Sequence, residues 1–174
     1  RDEDDGDLRR VTANLVAELL VQSGKADDIE EAIKQANDKI KSGAALREFE
    51  RLIVSQDGDP RIAENPELLP ESDERVKVEL GGEGYVTELD ALKIGRAANI
   101  LGAGRQKKGE KIDLSVGVRL EKRIGDEITD SDPVAWIHYN DDSNLTEAKQ
   151  LVKEAFTLES TKPPEIDLIK ERIR

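Results

Sequence analysis

Between Asn99 and Asp113 the sequence reads NILGAGRQKKGEKID, with three glycines and four basic residues in fifteen positions. Glycine-rich backbone beside positive charge suits a phosphate cradle, because crowded N–H groups and cations both receive an anion. A P-loop, however, sets a lysine and a Ser/Thr at the opening of a helix that follows a strand. Here Lys107-Lys108 runs into Gly109, and the apolar spacing upstream makes the glycines close a helix. That end of a helix carries the negative pole of its dipole, so basic residues gather there for structural reasons. Taken by themselves the residues leave both readings open, cradle and scaffold, with position favouring the scaffold.

The remaining chemical candidates are sparse. His138 is the only histidine and stands at the end of a predicted strand, with no second imidazole for a metal and no evident nucleophile beside it. Asp141 and Asp142 follow it and are expected to cap the last helix rather than hold a cation. Trp136 and Tyr85 are expected in the core, and five aromatic residues in all give no stacking platform for single-stranded nucleic acid. The carboxylates are scattered over charged helix faces, and no pair stands in an apolar setting that would divide acid and base roles. Lys93, in GYVTELDALKI, invites comparison with the modified lysine of biotinyl and lipoyl carriers. It falls in a predicted helix and precedes the GDE turn that a carrier lysine would follow. On this reading no catalytic, cofactor-binding or metal-binding residue is assigned.

Composition narrows the classes further. The 174 residues suffice for one or two domains with a proper core. There is no cysteine, which removes disulfides, thiolate zinc and a cysteine nucleophile together, and fits a reducing, cytoplasmic setting. A net charge of -12 opposes broad attraction to nucleic acid or anionic lipid, so neither is an expected partner. The longest apolar run, Leu15 to Val21, is broken by Glu18 and is too short to span a bilayer. The sequence contains no methionine and opens at Arg1 in an acidic stretch, as a trimmed tag or a piece of a longer polypeptide would.

The elements that must carry these residues change character along the chain. Leu8, Val11, Leu15, Leu19 and Leu20 form the stripe of a first helix, with Asp7 as cap and Gly24 as stop. Asp27 or Asp28 caps a second, whose stripe is Ile29, Ile33, Ala36 and Ile40 and whose stop is Gly43. A third runs from about Ala44 to Gln56, with Leu46, Phe49, Leu52 and Ile53 on one face. After the boundary at NPELLPESDE the period becomes two, and Val76 to Leu80 and Tyr85 to Leu89 read as a hairpin about GGEG. A helix is expected over Ala91–Leu101, strands over Leu114–Leu120 and Val134–Tyr139 with IGDE turning between them, and a last helix over Asn144–Leu158. The KPPEIDLIKERIR tail should open extended. The expected class is α+β: a helical layer over 1–70, then a β-rich domain over 75–174.

Several motifs in order now form a pattern. Gly84-Tyr85-Val86, ALKIG, LGAGR, IDLSVG, IGDE and an apolar strand ending in Ile137-His138 resemble the C-terminal region of pyrimidine nucleoside and thymidine phosphorylases. Ile124 stands where that family usually has valine. Upstream, SQDGDP resembles the family's Gln-Gly-Gly-Asp-Pro, with Asp57 in place of the first glycine, and IDLIKERIR resembles its ending. The resemblance implies phosphorolysis in nucleoside salvage: pyrimidine nucleoside plus phosphate gives base and (deoxy)ribose 1-phosphate, with inorganic phosphate a substrate and no cofactor. It implies a homodimer whose α and α/β domains close on substrate. The helices of 1–70 then belong to the α/β domain, and 75–174 is a C-terminal domain built like a barrel-sandwich hybrid with flanking helices. The family's substrate-holding groups lie in its N-terminal two-thirds and have no counterpart here. This chain is accordingly expected to be a scaffold fragment, inactive alone, and LGAGRQKKG a structural turn, with Arg105 the one residue expected to touch the opposite domain on closure. The alternative expectation is a free-standing β-sandwich interaction or carrier module without enzymatic activity.

Overall fold

Short side chains and glycines set the helix boundaries of the N-terminal segment. The computed structural model describes residues 6–105, 107–165 and 167–173. The acidic opening and Gln106 lie outside these residues. Leu69–Glu165 forms one compact unit, and the described residues before and after it form another.

The first unit holds α1 (Gly6–Gln22), α2 (Ile29–Lys41) and α3 (Ala44–Ser55). Gly24, at φ +67°, ends α1 as predicted: its N–H reaches Val21 O, and the Lys25 N–H reaches Leu20 O at 2.9 Å. These two bonds satisfy carbonyls that a right-handed residue would leave open. The Asp28 carboxylate accepts from Glu31 N at 2.8 Å, and the Glu31 carboxylate accepts from Asp27 N at 3.0 Å, a reciprocal arrangement close to a capping box. Gly43, at φ +70°, stops α2 and starts α3. Asp7 does not cap α1. It lies inside the first turn, where a carboxylate still meets the positive pole of the helix.

The leucine stripe of α1 is not what the helix buries. Ala13 and Ala17 are buried, whereas Leu8, Leu15 and Leu19 are each more than 60% exposed. Ala17 packs in a cluster with Ala26 and Ala32, because small side chains let two helices approach closely. In α3 no residue is buried, and Phe49 and Leu52 are about half exposed. A face of leucines and phenylalanine is therefore left uncovered within this unit.

After α3 the chain turns through Asp57, a non-glycine residue at φ +58°. This is the position where the resemblance expects glycine, and the left-handed conformation explains that expectation. Replacing Asp57 with glycine should raise stability by about 0.5 kcal/mol, read as a higher urea midpoint, since the β-carbon strain is relieved against a modest gain in unfolded-chain entropy. Gly58 has no such freedom to change. A β-carbon there would meet Ile53 Cγ2 at 2.8 Å.

The second unit contains β1 (Glu74–Glu79), β2 (Gly84–Leu89), α4 (Ala91–Ala98), a π-helical turn (Asn99–Ala103), β3 (Gly117–Leu120), β4 (Glu127–Ile128), β5 (Pro133–Tyr139), α5 (Leu145–Ala155) and β6 (Phe156–Glu159). Its strands make two antiparallel sheets, in the orders β1-β5-β3 and β4-β2-β6, so the class is α+β and neither sheet closes into a barrel among the described residues.

The predicted hairpin is absent, because β1 and β2 enter different sheets. Gly84 shows why. At φ +148° it lets the carbonyl oxygen of Glu159 come within 2.7 Å of where a β-carbon would sit, so β2 pairs with distant β6. IGDE does not simply turn the chain from β3 to β5. It carries β4 into the second sheet, with Gly125 N donating to Val86 O at 2.8 Å. The last helix stops at Ala155 instead of Leu158, since Phe156 adopts extended angles and pairs with Leu89.

Both sheets and both helices share one core. Val78, Val86, Ile128, Ile137, Val152 and Phe156 lie in it, drawn from β1, β2, β4, β5, α5 and β6. On β5 the period of two sends Ala135 and Ile137 inward and Trp136 and His138 outward.

Candidate functional site

The glycine-rich stretch ends a helix, as its position suggested. Asp90 starts α4 by accepting from Leu92 N and Lys93 N at 2.9 and 3.2 Å. At the far end, Gly102 leaves helical geometry at φ +107°. The freed carbonyls then find donors: Asn144 Nδ2 reaches Ile100 O at 3.0 Å, and Asp113 N reaches Gly102 O at 2.9 Å. What converges here is a set of carbonyl acceptors and the Asp113 carboxylate, surroundings that repel an anion.

The basic arm folds on itself. Arg105 is exposed, and its Nε donates to Glu110 O at 3.2 Å. Lys107 N donates to the Glu110 carboxylate at 2.9 Å. Lys107 and Lys108 are both exposed. Behind the arm, the Asp113 carboxylate receives the Ser115 hydroxyl at 2.6 Å and the Ser115 N–H at 2.9 Å. These bonds, with a further one from Asn140, hold its carboxyl below the usual range of an aspartate.

The other sequence candidates separate. His138 is half-buried on the outer face of β5, with Nδ1 3.3 Å from Ser72 Oγ. The Ser72 hydroxyl also lies 3.0 Å from Glu74 O, so Ser72 bridges the ring and the start of β1. Trp136 is not a core residue. Alternation turns it outward between Lys77 and Arg119, and Arg75 lies 5.2 Å above its ring centroid. That contact replaces core packing with a cation–π interaction worth about 0.5–1 kcal/mol. Tyr85 also turns away from the core, opposite Glu127 and Glu159, while its neighbour Val86 is fully buried.

Asp141 and Asp142 act one step before the helix they were expected to cap. Asp141 accepts from Ser143 N at 2.8 Å, and the carbonyl of Asp142 accepts from Leu145 N at 3.0 Å. The position that would cap α5 is Asn144, whose side chain is spent on Ile100 instead. Lys93 is equally committed. Its Nζ donates to Glu154 O at 2.9 Å and thereby closes the last turn of α5. A lysine used in this way is not presented on a hairpin for modification.

Among the described residues no group of three or more histidine or carboxylate side chains is placed to hold a metal ion, and no helix is long and apolar enough to cross a membrane. A groove of about 570 Å³ in the first unit, between α1 and residues 168–173, is bridged by Arg172 Nε to Glu18 at 3.0 Å. The residue that sequence reasoning missed is Asn140, which joins three segments. A single asparagine after a strand carries no signal of that in the chain itself.

Comparison with known proteins adds what the geometry leaves open. The family model for the pyrimidine nucleoside phosphorylase C-terminal domain matches residues 85–159, from β2 through β6. The pyrimidine-nucleoside phosphorylase of Staphylococcus haemolyticus (strain JCSC1435) is 37% identical over 134 residues, which are 77% of this chain and 31% of that enzyme. Those of Staphylococcus aureus strains USA300 and NCTC 8325 are 39% identical over the same shares. The aligned part thus spans under a third of the length of these curated relatives. The ordered motifs, the domain match over residues 85–159 and the curated relatives together support this chain as a C-terminal portion of a pyrimidine nucleoside phosphorylase.

Proposed function

We propose that the chain serves a pyrimidine nucleoside phosphorylase as a supporting part. The complete enzyme would convert pyrimidine nucleoside and phosphate to base and (deoxy)ribose 1-phosphate, thymidine being one substrate, in the cytoplasm and as a homodimer. The observation that carries this reading is the match of residues 85–159 to the C-terminal domain, within an alignment that takes in 31% of the relatives. The uncovered row of Leu8, Leu15 and Leu19 on α1 and the face of Phe49 and Leu52 on α3 support it. Such rows exist to be buried, and each leucine removed from water contributes about 1.5–3 kcal/mol. A preceding stretch of the phosphorylase polypeptide is their natural cover, with the helices of 1–70 completing its α/β domain.

In this reading the two three-stranded sheets are the halves of a barrel-sandwich arrangement, and Arg105, exposed at the head of the basic arm, touches the opposite domain when the enzyme closes. The groups that hold nucleoside and phosphate come from outside this chain. The test is phosphorolysis of thymidine and uridine by the purified 174-residue chain. No base should be released above the buffer rate, and turnover abolished by omitting phosphate would contradict the proposal.

A further inference from the structure

Three segments distant in sequence meet at one exposed side chain. Asn140 follows β5 directly. Its Oδ1 accepts from Asp73 N at 2.7 Å, and its Nδ2 donates to Asp113 Oδ2 at 2.7 Å and to Ser115 Oγ at 2.9 Å. Asp73 belongs to the stretch by which the chain enters the second unit, which begins at Leu69. Asp113 and Ser115 form the base of the basic arm, since the Asp113 N–H closes that loop on Gly102 O. Only a side-chain amide offers an acceptor and two donors on one planar end. Aspartate would face the Asp113 carboxylate, and lysine would have nothing for Asp73 N–H to donate to. The neighbouring Ser72, held between His138 and Glu74, keeps the entry stretch beside β5 so that Asp73 can reach Asn140.

We propose that Asn140 is a positioning residue that couples the entry stretch, Ser72–Glu74, to the Asp113–Ser115 segment at the base of the basic arm. That base then keeps one placement relative to the point where the chain enters the unit. Displacing either segment strains the shared amide and loosens the other. A role in phosphorolysis rests on the function proposed above; the coupling itself does not.

Hydrogen exchange on the full chain separates coupling from simple packing. In the otherwise unchanged protein, Asp113→Ala removes one partner of Asn140 and should speed exchange of the Asp73 amide about threefold, although Asp113 does not touch Asp73. Asn140→Ala should speed exchange at Asp73 and Ser115 together by about fivefold, leaving the Ile137 and Val118 amides in β5 and β3 unchanged. Added to Asn140→Ala, Asp113→Ala should have no further effect at Asp73. Asn140→Asp keeps an acceptor for Asp73 but opposes the Asp113 carboxylate, so at neutral pH it should free the arm's base and, its anchor lost, speed exchange at Asp73 as Asp113→Ala does. That joint change is readable even if the alanine variant folds poorly. An Asp73 amide indifferent to Asp113→Ala, or equally accelerated with and without Asn140, would overturn the proposal.

Discussion

Replacing Ile137 with alanine should destabilise the second unit by about 3 kcal/mol, a loss read as a lower urea midpoint at unchanged slope. Ile137 is fully buried on the central strand of its sheet, with Val76 opposite it on one side and Val118 on the other. The change removes three methyl or methylene carbons from a site whose walls come from two sheets and two helices, so little can collapse into the void. Whole domains are stable by only about 5–15 kcal/mol, which makes this a substantial fraction. The single tryptophan, Trp136, stands beside the mutated residue and faces the other side of the sheet, so its emission reports unfolding without being part of the cavity. The neighbouring His138→Ala, on the outer face, should cost about 1 kcal/mol or less, since it forfeits one part-exposed hydrogen bond. Similar losses at both positions would mean that β5 does not turn Ile137 inward.

Gly84→Ala should be comparably damaging, by about 2–4 kcal/mol, for a different reason. Its φ of +148° is a conformation reached almost only by glycine, and the added carbon would stand 2.7 Å from a backbone oxygen, Glu159 O. Neither strand can yield without breaking the β2–β6 ladder. Gly81, also at positive φ but with nothing within 4 Å, provides the control. Alanine there should cost about 1 kcal/mol, from backbone strain alone. The comparison is best made by thermal unfolding followed by circular dichroism, and equal shifts for the two variants would show that close approach to Glu159 is not what confines position 84.

These two residues also mark where sequence reading reached its limit. The signals that act within a few residues were legible: Gly24 and Gly43 as stops, Asp27 or Asp28 as a start, the glycines of LGAGR as the end of a helix. Each rests on backbone geometry that the local chain decides. Pairing between strands does not. GGEG has the composition of a hairpin, yet the packing of Gly84 on Glu159, 75 positions later, sends β2 to another sheet. Likewise, a leucine row on α1 announces an apolar face but not whether the chain itself covers it, and here alanines make the internal contact. Trp136 illustrates the same limit on β5, where period two was visible and the identity of the inward set was decided by which neighbours complete the core.

For the candidate site the order of motifs was more informative than any side chain. No group in LGAGRQKKG announced that its carbonyls would be bonded by Asn144 and Asp113, because both donors come from segments whose approach depends on the fold. Asn140 was invisible for the same reason. The resemblance supplied the family, and the geometry then showed the stretch ending a helix at Gly102.

The supporting role is tested most directly by exchange of the whole second unit. Residues 69–165 would replace their counterpart in the Staphylococcus haemolyticus phosphorylase, and folding would be checked by a single cooperative melt. If this unit only supports the site, the chimera should phosphorolyse thymidine and uridine with the host enzyme's preference, and with KM values for nucleoside and phosphate within about threefold of the host's. A folded chimera without turnover, or one whose substrate preference or phosphate KM moves by about tenfold or more, would contradict that role.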